Sequence, residues 1–200
     1  MSNDYFEKKA ESYDKDVNRV SNVDNIANSI LGSIPFNKDM HIMDFGSGTG
    51  LLLERVAPFV KKITAVDVSE AMTIQLSDKI KNLDCEVEIL QLDLTKTKMD
   101  MKFDGIISSM TMHHIEDIQA MFDDFYRMLN DNGVVAISDL DTEDGSFHTE
   151  DTGVFHFGFD RKAFEDKAIT AGFKNVKIIT ASIDEKPHGK YPVFLLTGNK

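Results

Sequence analysis

Cysteine is almost absent from this 200-residue chain, proline occurs only four times, and basic residues are outnumbered. The lone cysteine, Cys85, can close no internal disulfide and supplies no thiol set for zinc, which fits a reducing compartment and a structural role. Against 34 acidic residues stand 22 Lys and Arg, a formal charge of −12. That balance argues against a broad phosphate-binding footprint, so no nucleic-acid partner is expected. No apolar run approaches the roughly 18 residues of a membrane span, and Asn3-Asp4-Tyr5-Phe6-Glu7-Lys8-Lys9 is too charged for a secretory signal. Repeats and low-complexity stretches are lacking too, which excludes a solenoid. A cytoplasmic protein with no membrane partner is the expectation. What is present, 42% hydrophobic residues, suffices for a full core in one domain spanning 1–200.

The pattern along the chain is strand–helix alternation. A polar helical segment over 3–19 precedes a second over 23–34, where Val23, Ile26, Ala27, Ile30 and Leu31 fall at helical spacing, Asn22 is the expected N-cap and Pro35 the stop. Strand-length branched runs come next at 41–45, 62–68, 86–90, 103–109 and 133–139, separated by helical stretches at 51–58, 70–81 (capped by Ser69) and 116–129. Such alternation predicts a parallel sheet covered on both faces with right-handed crossovers. The end differs. A helix over 161–171, capped by Asp160 and closed by Gly172, leads into runs at 175–180 and 193–197 with only a Pro- and Gly-containing loop between them. Two strands so joined pair antiparallel. Residues 141–159 show no periodicity, and a loop of that length is usually functional or mobile.

Asp44-Phe45-Gly46-Ser47-Gly48-Thr49-Gly50 lies between the first strand and a helix. The dinucleotide fingerprint G-x-G-x-x-G would need glycine at 51, where Leu51 stands, and no lysine follows Gly50 as a Walker loop requires. Both phosphate-cradling readings are weakened by spacing. Asp67, 17 residues beyond Gly50, ends the second strand, where a carboxylate can accept hydrogen bonds from both ribose hydroxyls. Asp93 follows the third strand at the same sheet edge.

Together these residues resemble the class I S-adenosylmethionine-dependent methyltransferases. Phe6-x-x-x-Ala10-x-x-Tyr13-Asp14, His113-His114-Ile115-Glu116-Asp117, Gly158-Phe159 and Ala171-Gly172-Phe173 are similar to their small-molecule, ubiquinone/menaquinone-methyltransferase-like branch. The resemblance implies an α/β, Rossmann-like sheet of seven strands in the order 3-2-1-4-5-7-6. The last strand would be antiparallel, with helices on both faces and an N-terminal helical cap over 1–35 on a core of 36–200. It implies S-adenosylmethionine as cofactor, with S-adenosylhomocysteine as product. Asp44, Gly46 and Gly48 would lie beside the methionine portion, with Ser47, Gly50, Val68 and Ser109 completing the donor site. Asp67 would hold the ribose, Asp93 and Leu94 the adenine, and Tyr13 would close over the donor. The Asn/Asp-Pro-Pro-Tyr signature of base and glutamine methylation is replaced by Ser108-Ser109-Met110-Thr111, which argues for a small organic acceptor. Alternatives are an NAD(P)-dependent oxidoreductase and a non-catalytic S-adenosylmethionine-binding protein.

A methyl sulfonium is already activated, so such a protein mainly aligns the nucleophile and excludes water. A base is needed only where the acceptor must lose a proton. His113, His114, His148 and His156 are the candidates, and no metal site is expected from them. Phe147, Phe155, Phe157 and Phe159 suggest a lid over an apolar acceptor. The sequence leaves open the acceptor and the oligomeric state.

Overall fold

The computed structural model describes residues 6, 7 and 9–200, so the first part of the polar segment expected over 3–19 lies outside the described residues. The chain from Ala10 to Ser33 departs from the expected pair of helices. After a 3₁₀ turn at Ala10–Lys15, one helix, α1, runs through Val17–Ser33. Asp16 is its N-cap, accepting from the backbone N–H groups of Asn18 and Arg19 at 3.1 and 3.2 Å. Asn22, the N-cap expected from sequence, is instead buried within the helix.

Seven strands form one sheet in the order β3-β2-β1-β4-β5-β7-β6, as the family resemblance implies. They are β1 His41–Phe45, β2 Lys62–Asp67, β3 Glu86–Gln91, β4 Phe103–Ser109, β5 Leu129–Leu140, β6 Lys174–Lys186 and β7 Gly189–Asn199. The first five pair in parallel, while β7 runs antiparallel to both β5 and β6. The final hairpin is longer than the apolar runs indicate. Residues 181–192, expected as a loop, are mostly strand, with Ile183 opposite Pro192 and Lys186 opposite Gly189. Pro192 lies just past the last β5–β7 pair, Leu140 opposite Val193, where its carbonyl accepts the Asp141 N–H at 2.9 Å and its missing N–H interrupts no pair of that ladder.

Alternation within the strands builds two cores, since successive side chains leave opposite faces. Ile42, Ile107, Ala136 and Leu195 pack with α1 and with α2 (Leu51–Val56) and α3 (Glu70–Lys79). Their neighbours Met43, Ile106, Val135 and Leu196 face α4 (Ile118–Met128) and α5 (Arg161–Ala171). Ser69, Asp117 and Asp160 cap α3, α4 and α5 through side-chain oxygens, and Gly172 ends α5 at φ 113°. Residues 142–158 contain no helix or strand, and an isolated bridge between Asp141 and Phe159 closes them at the base. This architecture brings the segments after β1 to β5 to one edge, where open parallel sheets bind ligands. Among the described residues no helix is long and apolar enough to cross a membrane.

Candidate functional site

The turn after β1 carries three left-handed glycines, Gly46, Gly48 and Gly50, at φ 70°, 54° and 88°. Their roles differ. A Cβ on Gly46 would lie 2.2 Å from Thr111 Oγ1, so close packing against the segment after β4 requires glycine there. A Cβ on Gly48 would meet nothing within 4 Å: it would project into open space. Gly50, expected in the donor set, stands apart from the other two. It lines neither cavity of the site, and a Cβ there would strike Leu76 Cδ1 at 2.5 Å, so it fits α2 against α3.

Asp67 pins this turn. One carboxylate oxygen accepts the Gly48 N–H at 2.7 Å and the other the Ser69 N–H at 2.8 Å. Around it opens a crevice of about 660 Å³, lined by Tyr13, Gly46, Gly48, Asp67, Val68, Asp93, Leu94 and Ser109 among others. Asp93 accepts from Thr95 at its backbone and hydroxyl and pairs with Lys96 at 2.6 Å. Burial raises its proton affinity, but those hydrogen bonds prevail and hold the carboxyl below its ordinary range.

A second chamber of about 270 Å³ adjoins the first across Tyr13, Gly46, Gly48, Ser109, Met110 and His114. Its character is unusual. Seven buried side-chain polar atoms lack a hydrogen-bond partner among the described residues, and six of them belong to residues lining this chamber: Asn22, Asp44, Ser47, Ser109, His148 and Thr152. Buried polar groups are normally satisfied, so these atoms are ones that water or a polar ligand would partner. Asp44 is 1% exposed, and burial followed by the nearby Asp67 charge raises its carboxyl to about 8.

The N-terminal segment forms one wall. Arg19 lies 4.0 Å over the Tyr13 ring and donates to the Tyr13 carbonyl, and burial pushes the Tyr13 phenol upward. Thr49 donates to Asp14 at 2.6 Å, tying this segment to the glycine turn, while Lys79 of α3 pairs with Asp14 and Glu54.

The four candidate histidines separate. His113 and His114 follow β4 in a 3₁₀ turn, and their rings lie 4.3 Å apart, with His148 5.2 Å from His113. All three line the smaller chamber. Burial and the adjacent His113 lower His114 to about 4 and His148 to about 3, so both rings are neutral near pH 7. His156 lies apart from them: it lines neither cavity, its Nε2 bonds the Ile115 carbonyl at 2.9 Å and its ring packs on Phe159. The phenylalanine lid is likewise not formed as a unit. Phe155 lines the larger crevice and Phe147 the smaller, but Phe157 borders Gly145 and Phe159 packs on Phe164. Among the described residues no three His, Cys, Asp or Glu are grouped to hold a metal ion.

Sequence reasoning missed Asp139, Asn22 and Thr152. Asp139 had a usable signal, lying at the same strand-end edge as Asp67. Asn22 and Thr152 had none, because a helix face and a loop turn had to be placed in space first.

Comparison with known proteins agrees with this geometry. Residues 42–133 match the methyltransferase domain family. Over that span the chain resembles the class I S-adenosylmethionine-dependent methyltransferases, whose cofactor is S-adenosylmethionine. An uncharacterized methyltransferase of Schizosaccharomyces pombe is 29% identical over 86% of this chain and 64% of its own length. A malonyl-[acyl-carrier protein] O-methyltransferase of Acetivibrio thermocellus is 27% identical over 67% of this chain and 47% of its own. The chain thus spans about half to two-thirds of these relatives. In fold it is similar to Haemonchus contortus phosphoethanolamine N-methyltransferase 2 bound to S-adenosylmethionine, with a TM-score of 0.72 at 17% identity over 88% of this chain and 52% of that one.

Proposed function

We propose that this chain transfers the methyl group of S-adenosylmethionine to a small polar organic acceptor held in the smaller chamber beyond the donor's methionine end, around Asn22, His113, His148 and Thr152. The observation that carries the reading is the pairing of two cavities across the glycine turn, one beside Asp67 and one lined by unpartnered buried polar atoms. The residues present fit the donor. Gly48 leaves a space that any side chain would fill, Asp44 offers a buried carboxylate oxygen with no partner, and Asp67 stands at the end of β2. Asp67 would bind the ribose, Val68, Asp93 and Leu94 would border the adenine, and Asp44, Gly46, Ser47 and Ser109 would take the methionine end under Tyr13. When bound, the donor supplies an electrophilic methyl group on a sulfonium centre. The chain's own work is then to orient the acceptor and keep water out, which can lower a barrier by several kcal/mol.

The polar chamber favours a compact hydrogen-bonding acceptor over a long apolar one such as a prenylated quinone, because burying Asn22, Thr152 and His148 against hydrocarbon would leave them unsatisfied. Malonyl-[acyl-carrier protein] and phosphoethanolamine, named for the relatives, are polar acceptors of this general kind. A cytoplasmic location belongs to the same proposal. The test is calorimetric titration with S-adenosylhomocysteine beside NAD, followed by a tritiated-donor screen of metabolite extracts. Saturable heat from S-adenosylhomocysteine alone and an extract-dependent labelled product support the reading. Heat from NAD alone points to an oxidoreductase, and donor binding without any labelled product to a binding protein.

A further inference from the structure

Asp139 lies near the end of β5 with no exposure to solvent, and among the described residues its carboxylate bonds to His113 and Leu140. One oxygen accepts the Leu140 N–H at 2.7 Å and His113 Nδ1 at 2.8 Å; the other accepts the His113 backbone N–H at 3.1 Å. No lysine or arginine pairs with it among the described residues. A carboxylate only accepts, so Nδ1 carries the proton and the Nε2 lone pair is left on the ring's other side. The described residues give that nitrogen no hydrogen bond, and the ring, 2% exposed, lines the smaller chamber beside the unpartnered His148 Nε2. Anchoring alone does not account for the ring, because the backbone bond already ties the segment after β4 to β5.

Resting on the methyltransferase reading above, we propose that His113, oriented by Asp139, is the base that takes the proton from a protic acceptor, so that the substrates of this chain carry a hydroxyl or amine nucleophile. The balance is simple. As the acceptor atom bonds the methyl group, the electron pair of the broken sulfur–carbon bond returns to sulfur, the acceptor's O–H or N–H bond breaks, and its proton goes to Nε2. The imidazolium then faces the Asp139 carboxylate, which already accepts from Nδ1. The neighbouring rings do not compete for this proton, since burial keeps His114 and His148 neutral, the latter also facing Lys9 and Lys186. A carboxylate acceptor, already ionised, would need no such base.

The test compares the wild-type chain with His113→Gln and Asp139→Asn. Titration with S-adenosylhomocysteine comes first: binding by all three shows an intact donor site, and its absence in the wild type overturns the methyltransferase reading separately. Tritium transfer from labelled donor is then followed into catechol, ethanolamine and malonate across about pH 6 to 9. The expected wild-type profile climbs up to tenfold per unit on its acid side, and His113→Gln loses at least about 100-fold together with that acid limb. A His113→Gln variant that keeps the wild-type rate, or slows while keeping the acid limb, overturns the proposal, as does transfer to malonate alone. If no probe is labelled, long-range proton–nitrogen correlation of the S-adenosylhomocysteine complex decides. A His113 ring protonated at Nδ1 only supports the assignment; one protonated at Nε2 overturns it.

Discussion

At the scale of single residues, the two acids of the donor crevice act through different physics. Asp67 is a pinned hydrogen-bond acceptor, and Asp67→Ala should weaken S-adenosylhomocysteine binding by about 1.5–3 kcal/mol, read as a roughly 10- to 150-fold rise in dissociation constant. Asp44 is instead a buried acid whose pKa is raised to about 8. Between the ordinary carboxyl range and about 8, the folded chain therefore holds a proton that the unfolded chain has lost. A donor ammonium beside Asp44 would expel it. Affinity should climb with pH toward about 8 by at most tenfold per unit, with proton release measurable in buffers of different ionisation heat. Asp44→Asn should flatten the dependence. Gly48→Val should abolish donor binding by filling open space at the site, and should also lower Tm by a few degrees, because a β-branched residue is strained at the left-handed φ of 54°. Glycine and acid positions at strand ends stand out in sequence because they have few other uses. Gly50 and His156, expected at the site, lie outside both cavities, and a packing glycine or a hydrogen-bonded histidine carries no mark in sequence that sets it apart.

Elements were legible where one face is buried and the other is not. The five parallel strands and α5 fall where their apolar periodicity and caps put them. The start of α1 was not, because Asp16 and Asn22 are equally good caps and only the packing of Asn22 against the smaller chamber decides between them. The true cap makes Asp16→Ala a test: loss of two accepted N–H bonds should cost about 1 kcal/mol in denaturant unfolding, while Asn22→Ala should leave the helix start intact. The β6–β7 hairpin extends past its apolar runs because the buried side chains of its outer half are polar: Ser182 and Asp184 face inward while Ile183 and Glu185 are exposed, so no apolar period marks the strand.

For the whole molecule, the ionisable groups around the two cavities set the shape of stability against pH. His114 and His148 are depressed to about 4 and about 3, so the folded chain refuses protons that the unfolded chain accepts as pH falls below the ordinary histidine range. Stability is lost in that direction. Asp44 has the reverse sign and removes stability as pH rises toward about 8. Thermal unfolding should therefore show a maximum near pH 6.5, and S-adenosylhomocysteine should erase the alkaline decline but not the acid one. The apolar layer beneath α4 sets the overall level. Phe122 and Phe125 are fully buried in a cluster of edge-to-face rings, and Phe125→Ala should cost about 3–5 kcal/mol, read as a fall of roughly 6–20 °C in Tm.

The hydrogen bond from Gly48 to Asp67 has a kinetic corollary. Because the turn keeps its own amide satisfied, the vacant cradle already has the contour its guest requires, and little backbone must be rearranged on arrival. Association should then run at the pace of diffusion into a ready-made mould. Differences among nucleoside analogues would surface in how long each one stays, and stopped-flow displacement would register them as a spread of residence times.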